Sequence, residues 1–575
     1  MASMPSLRLH LAIGALQGIA LWLLYEAGQR WGWLTGFPRA LSALVCFSVA
    51  APLAWYLTHA VFVSERSRVA FAVLLGLLVA ALGAHAASVS GFEKPEPAFI
   101  AFLIPAAVLA FLVMSLAGGW ESSRRRFGYA RLFELAWRNA VVAGVASALT
   151  GGLWIVLAAG AWLMESIGLH GLRKLYGEPV FAIPVTTATL GLAFGLALAR
   201  ATILAGSRHV ALSLAMWLLP VALGFAIAWV AALPFTGVQP LFSTGNAAFY
   251  LLWFGTLAIV FLNAAFQEGR DAPSYPRWLA RVLAWAWLAM PVLAVLAGWA
   301  LWERVAQHGW TPERIWAAVA WAAVTLCALG YAISAFRTGP WMHSVATTNV
   351  IGALLLVIAI LALTSPAADV HRLAVSNQVA RLRTGAVPLA QFDWDLLLNQ
   401  TGRYGLDALQ ALARSAGADD ASKAIASQAA DVLRTGRSPS RMQDRALALQ
   451  TLRQRVPVRP RGGVPDPALL EWLARPNAEG HERNCISRPD GCALWIVDLD
   501  RDGSDDVLLL WDQRGSVHGA LYSRASGKWR KEGALRDSSR PLSAWLNEID
   551  AGGVAIEAAK WPDVSVAGQR IRIGP

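Results

Sequence analysis

Charge is what this sequence has least of. Only 15% of its 575 residues are Asp, Glu, Lys or Arg, where a soluble domain carries about a quarter. The shortage falls in the first 365 residues. There the chain runs in apolar segments of about twenty residues, the length that reads as a membrane-spanning helix. The segments are dense in Ala, Leu and Trp and apolar all round. A soluble helical protein, whose helices need a polar face, is thereby excluded.

Inside the spans ionisable residues are scarcer still. No Asp lies within one, and Glu121, Glu134 and Glu165 sit at or beyond span ends. His59 and His85 come nearest and read as packing or interface residues rather than proton relays; ion-driven transporters usually carry more than this. Catalytic signatures are missing too: no Gly-x-Ser-x-Gly, no phosphate-binding Gly-rich loop, no His-Glu-x-x-His and no Asp pair on a membrane-exit loop. Met1–Leu9 holds one Arg, and no small-residue cleavage site follows. The first apolar stretch is therefore expected to stay as a helix.

Tryptophan is abundant, at 27 residues. Its ring suits the membrane–water boundary, and Trp31, Trp33, Trp120, Trp278, Trp302, Trp310 and Trp341 lie at segment ends. The net charge of +12 sits largely in short loops, where it sets orientation. Nucleic-acid binding is not indicated.

Eleven spans are expected, near 8–25, 40–61, 69–90, 97–118, 139–163, 179–199, 209–233, 246–266, 279–302, 314–336 and 343–364. The first is weakest, being short and holding His10 and Gln17. A cytoplasmic N-terminus puts twice as many Lys and Arg on inside loops as on outside ones, which favours that orientation. Residues beyond 366 then lie outside, in the periplasm of a Gram-negative inner membrane. Pro105, Pro184, Pro220 and Pro291 are candidate kinks. Gly191 and Gly195 read as a close-packing pair. The uncharged loop Thr236–Gly245 reads as a plain connection, with a re-entrant or lid segment as the alternative. Arg124–Arg126 with 127–137 is amphipathic and reads as a topology anchor that could lie on anionic headgroups.

The expected organisation is a polytopic all-α membrane bundle over 1–365, a helical extramembrane segment over 366–460, and a small β-rich periplasmic module over 461–575. Helices are expected at 370–383, 392–413, 421–433 and 441–455, with a linker over 456–466. Strands are expected at 493–497, 507–511, 517–523, 528–532, 554–558 and 564–573, as an antiparallel meander or small sandwich.

Of four cysteines, Cys46 and Cys327 fall within spans. Cys485 and Cys492 flank a turn-rich stretch and read as a disulfide, which suits an oxidising compartment. Free thiols or a metal pair with His481 are the alternatives. The sharpest local motif is Asp498-Leu-Asp500-Arg-Asp502-Gly503-Ser504-Asp505-Asp506. Its alternate carboxylates, with the Ser504 carbonyl and Asp506, form an oxygen set for structural Ca²⁺. Leu509 stands where an EF-hand needs Glu, and the flanks are strand-like, so the loop resembles calcium loops between β-strands. An ion-free Asp-rich turn is the alternative.

Three features together resemble the bacterial multi-pass membrane proteins grouped as domain-of-unknown-function family 4153. They are the Ala/Leu/Trp-rich spans, the stretch Asn377-Gln378-Val379-Ala380-Arg381-Leu382 with Phe392–Asp395 and Gly402-Arg403-Tyr404-Gly405, and the late Asp-rich loop. The resemblance implies an inner-membrane protein and carries over no catalytic residue.

Three functions follow. The first is a non-enzymatic envelope protein whose outer module binds a protein or polymer partner. The second is a transporter or lipid flippase. The third is a membrane enzyme acting on lipid-linked substrates, disfavoured because no acid–base pair is seen. The lipid bilayer is the one partner common to all; oligomeric state stays open.

Overall fold

The computed structural model describes every residue except 1–6, 30–36, 91–95, 122–124, 170, 270–274, 337–339, 416, 418, 476–479, 501, 514–515, 526–527, 539–540, 555–563, 567–568 and 572–575. Trp31, Trp33, Arg124 and most of the strand expected at 554–558 lie outside the described residues. Two compact units emerge: residues 1–392 with 396–433, and residues 393–395 with 434–575.

Among the described residues, eleven helices are long and apolar enough to cross a membrane, matching the eleven expected. In order they are α1 (Leu7–Gln29), α2 (Pro38–Leu57), α3 (Glu65–Val89), α4 (Glu96–Gly119) and α5 (Tyr129–Ser166). After the short α6 (Gly171–Gly177) come α7 (Pro179–Ala199) and α8 (Ala201–Thr236). The one-turn α9 (Gln239–Phe242) precedes α10 (Ala247–Phe266). The ninth span is two helices, α11 (Arg277–Ala286) and α12 (Ala289–His308), followed by α13 (Pro312–Phe336) and α14 (Ser344–Leu363).

Local chemistry explains several boundaries. Pro38, Pro179 and Pro312 open their helices, where a missing N–H costs nothing. The regular helix of the ninth span is interrupted at Trp287 and Leu288, which keep right-handed helical backbone angles; the ring of Pro291 opposes the carbonyl of Trp287, four residues earlier. The stretch 127–137 is not a separate surface helix. It supplies the first turns of α5, with Leu132, Phe133 and Leu135 buried, and a hairpin of β1 (Trp120–Glu121) and β2 (Arg126–Phe127) precedes it. Gly191 and Gly195 do serve close packing: a Cβ on Gly191 would lie 2.5 Å from the His10 carbonyl of α1.

Past the last span, α15 (Val370–Arg383) and α16 (Gly402–Arg414) belong to the membrane unit. Arg381 donates to the carbonyls of Ala306 and Gln307, and Gln378 to those of His308 and Trp310. The chain's Asn377–Arg381 motif thus satisfies the orphan carbonyls at the end of α12. Gly402 (φ +54) lies so close to Val89 that a Cβ would sit 1.9 Å from its carbonyl oxygen.

The division between units falls near the end of α17 (Asp420–Thr435), inside the expected 366–460 segment. The second unit contains α18 (Pro439–Gln454), α19 (Pro467–Leu473), α20 (Gly480–Ser487) and α21 (Leu542–Ala551). Its five-stranded sheet has the order β3 (Val458–Arg459), β4 (Cys492–Val497), β5 (Asp506–Gln513), β6 (Ser516–Ala525) and β7 (Lys528–Ser538). β3 runs parallel to β4 and the rest are antiparallel. A hairpin of β8 (Val564–Val566) and β9 (Gln569–Ile571) replaces the single strand expected at 564–573. The meander therefore holds, but the sheet is no sandwich. Leu494, Val507 and Leu509 pack with Leu452, Leu469 and Leu473 on one face. Leu508 and Leu510 pack with Leu542 on the other. Burial on both faces explains the unbroken Val507–Leu510 run.

Candidate functional site

Two cavities line the α10–α13 pair of the membrane unit. The first, of about 980 Å³, opens beneath the Thr236–Gly245 loop; Gln239, Ser243, Asn246, Glu303, Arg304, Glu313 and Arg314 make its wall polar. It follows α10 from Ala247 to Thr256 and α13 down to Ala320. Nine residues of helix rise about 14 Å, close to half of a hydrocarbon core of about 30 Å. The second cavity, of about 580 Å³, starts one turn further along the same two helices, at Ile259 and Ala323. α4, α5 and α14 contribute Phe111, Leu132, Phe133 and Leu356, and among the described residues no charged side chain lines it.

One polar cluster sits in the wall of that apolar cavity. Tyr129 donates to Asn263 Oδ1 at 3.2 Å, and Asn263 Nδ2 donates to the Tyr331 hydroxyl at 3.1 Å. Tyr331 donates to Asn349 Oδ1, and Asn349 Nδ2 reaches Asn263 Oδ1 at 2.5 Å and the Tyr129 hydroxyl at 3.3 Å. Four helices are cross-linked by groups that would be costly to leave unpaired in an apolar interior. Cys327 lines the same cavity. A search of the sequence confined to charged groups misses this cluster. The signal lies in Asn263 and Asn349, two amides inside otherwise apolar runs.

A smaller cavity of about 90 Å³ joins His85, Glu313, Asp369 and His371. Asp369 caps α15, accepting from the N–H groups of His371 and Arg372, and His85 Nε2 lies 2.7 Å from its Oδ2. Burial works against this carboxylate's charge. The hydrogen bonds from His371, His85 and Arg372 outweigh it and hold Asp369 well below the usual carboxylate range.

In the second unit, Cys485 and Cys492 are joined as a disulfide, between α20 and β4. The Asp-rich loop links β4 to β5, as its flanks implied. Of the five expected ligands, Asp498, Asp500 and Asp506 bring carboxylate oxygens within 4.8 Å of one another. Asp502 turns aside to accept from the Ser504 N–H at 2.7 Å. Burial raises the Asp506 carboxyl, and the charges of Asp500, Asp502 and Asp498 push it further up, against the N–H of Leu499. Three carboxylate oxygens crowded together are the chemistry a hard cation relieves.

Fold and cavities together define a multi-pass integral membrane protein carrying a mixed α/β unit at its C-terminal end. No family model, curated protein or solved structure matches the chain.

Proposed function

We propose that the membrane unit is a transporter or flippase for an amphiphilic molecule, which moves along the seam between α10 and α13. One observation carries this: a polar cavity under an uncharged loop and an apolar cavity with a hydrogen-bonding cluster follow one another on the same two helices, a single turn apart. A solid anchor needs neither. Largely apolar sites with a few convergent polar groups suit ligands that are part apolar. In this reading Arg304, for which no ion pair is formed among the described residues, meets the polar end, and Asn263 and Asn349 orient the molecule further in.

The test is reconstitution into liposomes carrying fluorescent phosphatidylglycerol or phosphatidylethanolamine, with transbilayer movement read by dithionite quenching. Native protein is expected to accelerate movement, and Asn263→Leu and Arg304→Gln to reduce it. Movement no faster than in protein-free liposomes, for both lipids, sinks the reading.

The protein is proposed to lie in a bacterial inner membrane with its N-terminus cytoplasmic and its α/β unit periplasmic. Loop charge and the disulfide both support this. That unit has a core of its own, which suits a module that binds an envelope protein or polymer, with Ca²⁺ at Asp498, Asp500 and Asp506 as a structural ion.

A further inference from the structure

The polar cavity beneath the Thr236–Gly245 loop carries charge of both signs: Arg304 and Arg314 line it, and so do Glu303 and Glu313. Its volume of about 980 Å³ leaves room for a ligand between them, since small-molecule sites run to about 300–1,000 Å³. The four do not neutralise one another. Glu303, Arg304 and Glu313 form no ion pair or hydrogen bond among the described residues. Arg314 is committed elsewhere, its Nη1 donating to the Gly309 carbonyl at 2.8 Å in the α12–α13 turn.

The unpaired groups enter the cavity from different elements. Arg304 comes from α12 and reaches under the loop, where a Cβ on Gly245 would lie 2.8 Å from its Nη2. Glu313 comes from the first turn of α13, on one helix face with Trp316 and Ala320. Glu313 and Trp316 also line the smaller cavity of about 90 Å³ that holds Asp369 between His85 and His371. A second carboxylate therefore stands behind the α13 wall, and its hydrogen bonds keep it ionised. Further down, the walls turn apolar, with Leu252 and Trp253 on α10 and Ala317 and Ala320 on α13.

This charge pattern discriminates between headgroups. A purely anionic one that meets Arg304 also faces two free carboxylates. A purely cationic one that meets the carboxylates also faces Arg304. Either sets like charges against each other, which costs affinity. A headgroup carrying both a phosphate and an ammonium satisfies both sides.

We propose that this cavity selects a zwitterionic aminophospholipid, with the phosphate on Arg304 and the primary ammonium on Glu313. The proposal rests on the transport reading for what the cavity is for, and names the headgroup that enters it. The guanidinium donates charge-assisted hydrogen bonds to the phosphate oxygens. The ammonium donates N–H groups, and the Glu313 carboxylate accepts. A trimethylammonium has no N–H to donate, and a site built to hydrogen-bond such a group rejects the analogue without it. The acyl chains follow the apolar walls below.

The experiment offers the full-length protein three lipids: phosphatidylethanolamine, phosphatidylcholine and phosphatidylglycerol, each labelled on an acyl chain so that the headgroup stays free. Native mass spectrometry from a non-ionic detergent reads retention, which does not depend on transport. Dithionite quenching in liposomes reads transbilayer movement. Phosphatidylethanolamine is expected to be retained over both others. Glu313→Gln should cut that retention about tenfold and leave phosphatidylcholine retention as it was, and Glu313→Asp should keep part of the preference. Arg304→Gln should weaken retention of all three, which share the phosphate. Glu313 is exposed, so these variants are expected to fold. Selective retention with no movement of any lipid upholds the headgroup site and sinks the transport reading. Equal movement and equal retention of all three uphold transport and overturn the proposal. Retention of none, or a phosphatidylethanolamine preference that Glu313→Gln leaves intact, overturns it as well.

Discussion

At the scale of single residues, the membrane unit is held by uncharged polar contacts more than by ion pairs. Asn349 is the hub of the Tyr129–Asn263–Tyr331 cluster. Asn349→Leu strips three side chains of a partner, and a loss of about 1–2 kcal/mol is expected. Thermal unfolding in detergent checks it, and an unchanged midpoint would show the cluster to be dispensable. Asp369 supplies a pH test. Its carboxyl is held below the ordinary range, so its contribution is complete above about pH 4 and fades as the pH falls through its lowered native value. The difference in melting temperature between native protein and Asp369→Asn should therefore shrink on acidification below that point. A difference that stays constant from pH 7 down to pH 3 contradicts the assignment.

Elements bring together residues far apart in sequence. α15 reaches back to the end of α12, where Arg381 and Gln378 take up four carbonyls between Ala306 and Trp310. Arg381→Ala is expected to leave the fold intact while speeding amide hydrogen exchange over 305–311. Exchange unchanged there means that water replaces the guanidinium without loss. The β4–β5 loop makes the other element-scale prediction. Calcium should raise the melting temperature of native protein, chelation should reverse the gain, and Asp498→Asn should abolish the response. A melt indifferent to calcium leaves the loop as an Asp-rich turn. Much of this was readable in advance. The spans, the loop between strands and the four central strands follow from runs and alternation of apolar residues. α21 is not among the expected elements, although Leu542, Trp545, Leu546 and Ile549 have helical spacing. The interruption between α11 and α12 leaves no mark in hydropathy, because the apolar run continues across it; Pro291, a candidate kink, is its sequence signal.

For the whole molecule, Cys327 offers a native reporter. It lines the inner cavity, whereas Cys46 is buried and the other two thiols are bonded. A membrane-permeant maleimide should label it, and an amphiphile that occupies the seam should protect it. Labelling that no lipid slows would count against occupancy of that cavity. The proposed orientation is tested by fusing alkaline phosphatase after residue 575. Activity there, and none for a fusion in the 337–343 loop, is the expected pattern; the reverse would invert the topology.

The sequence alone determined that the chain carries eleven apolar runs long enough to cross a membrane and ends in a polar α/β region, because hydrocarbon admits only apolar runs of a set length, whatever packs beside them. It also determined where carboxylates crowd in the Asp-rich loop, since that clustering is local. Only the tertiary structure decided that α15 and α16 belong to the membrane unit, that Asn263 and Asn349 meet across four helices, and that cavities follow one another along α10 and α13. Each of these depends on which faces of separate helices come together, and a helix that is apolar all round carries no mark of the face it will bury.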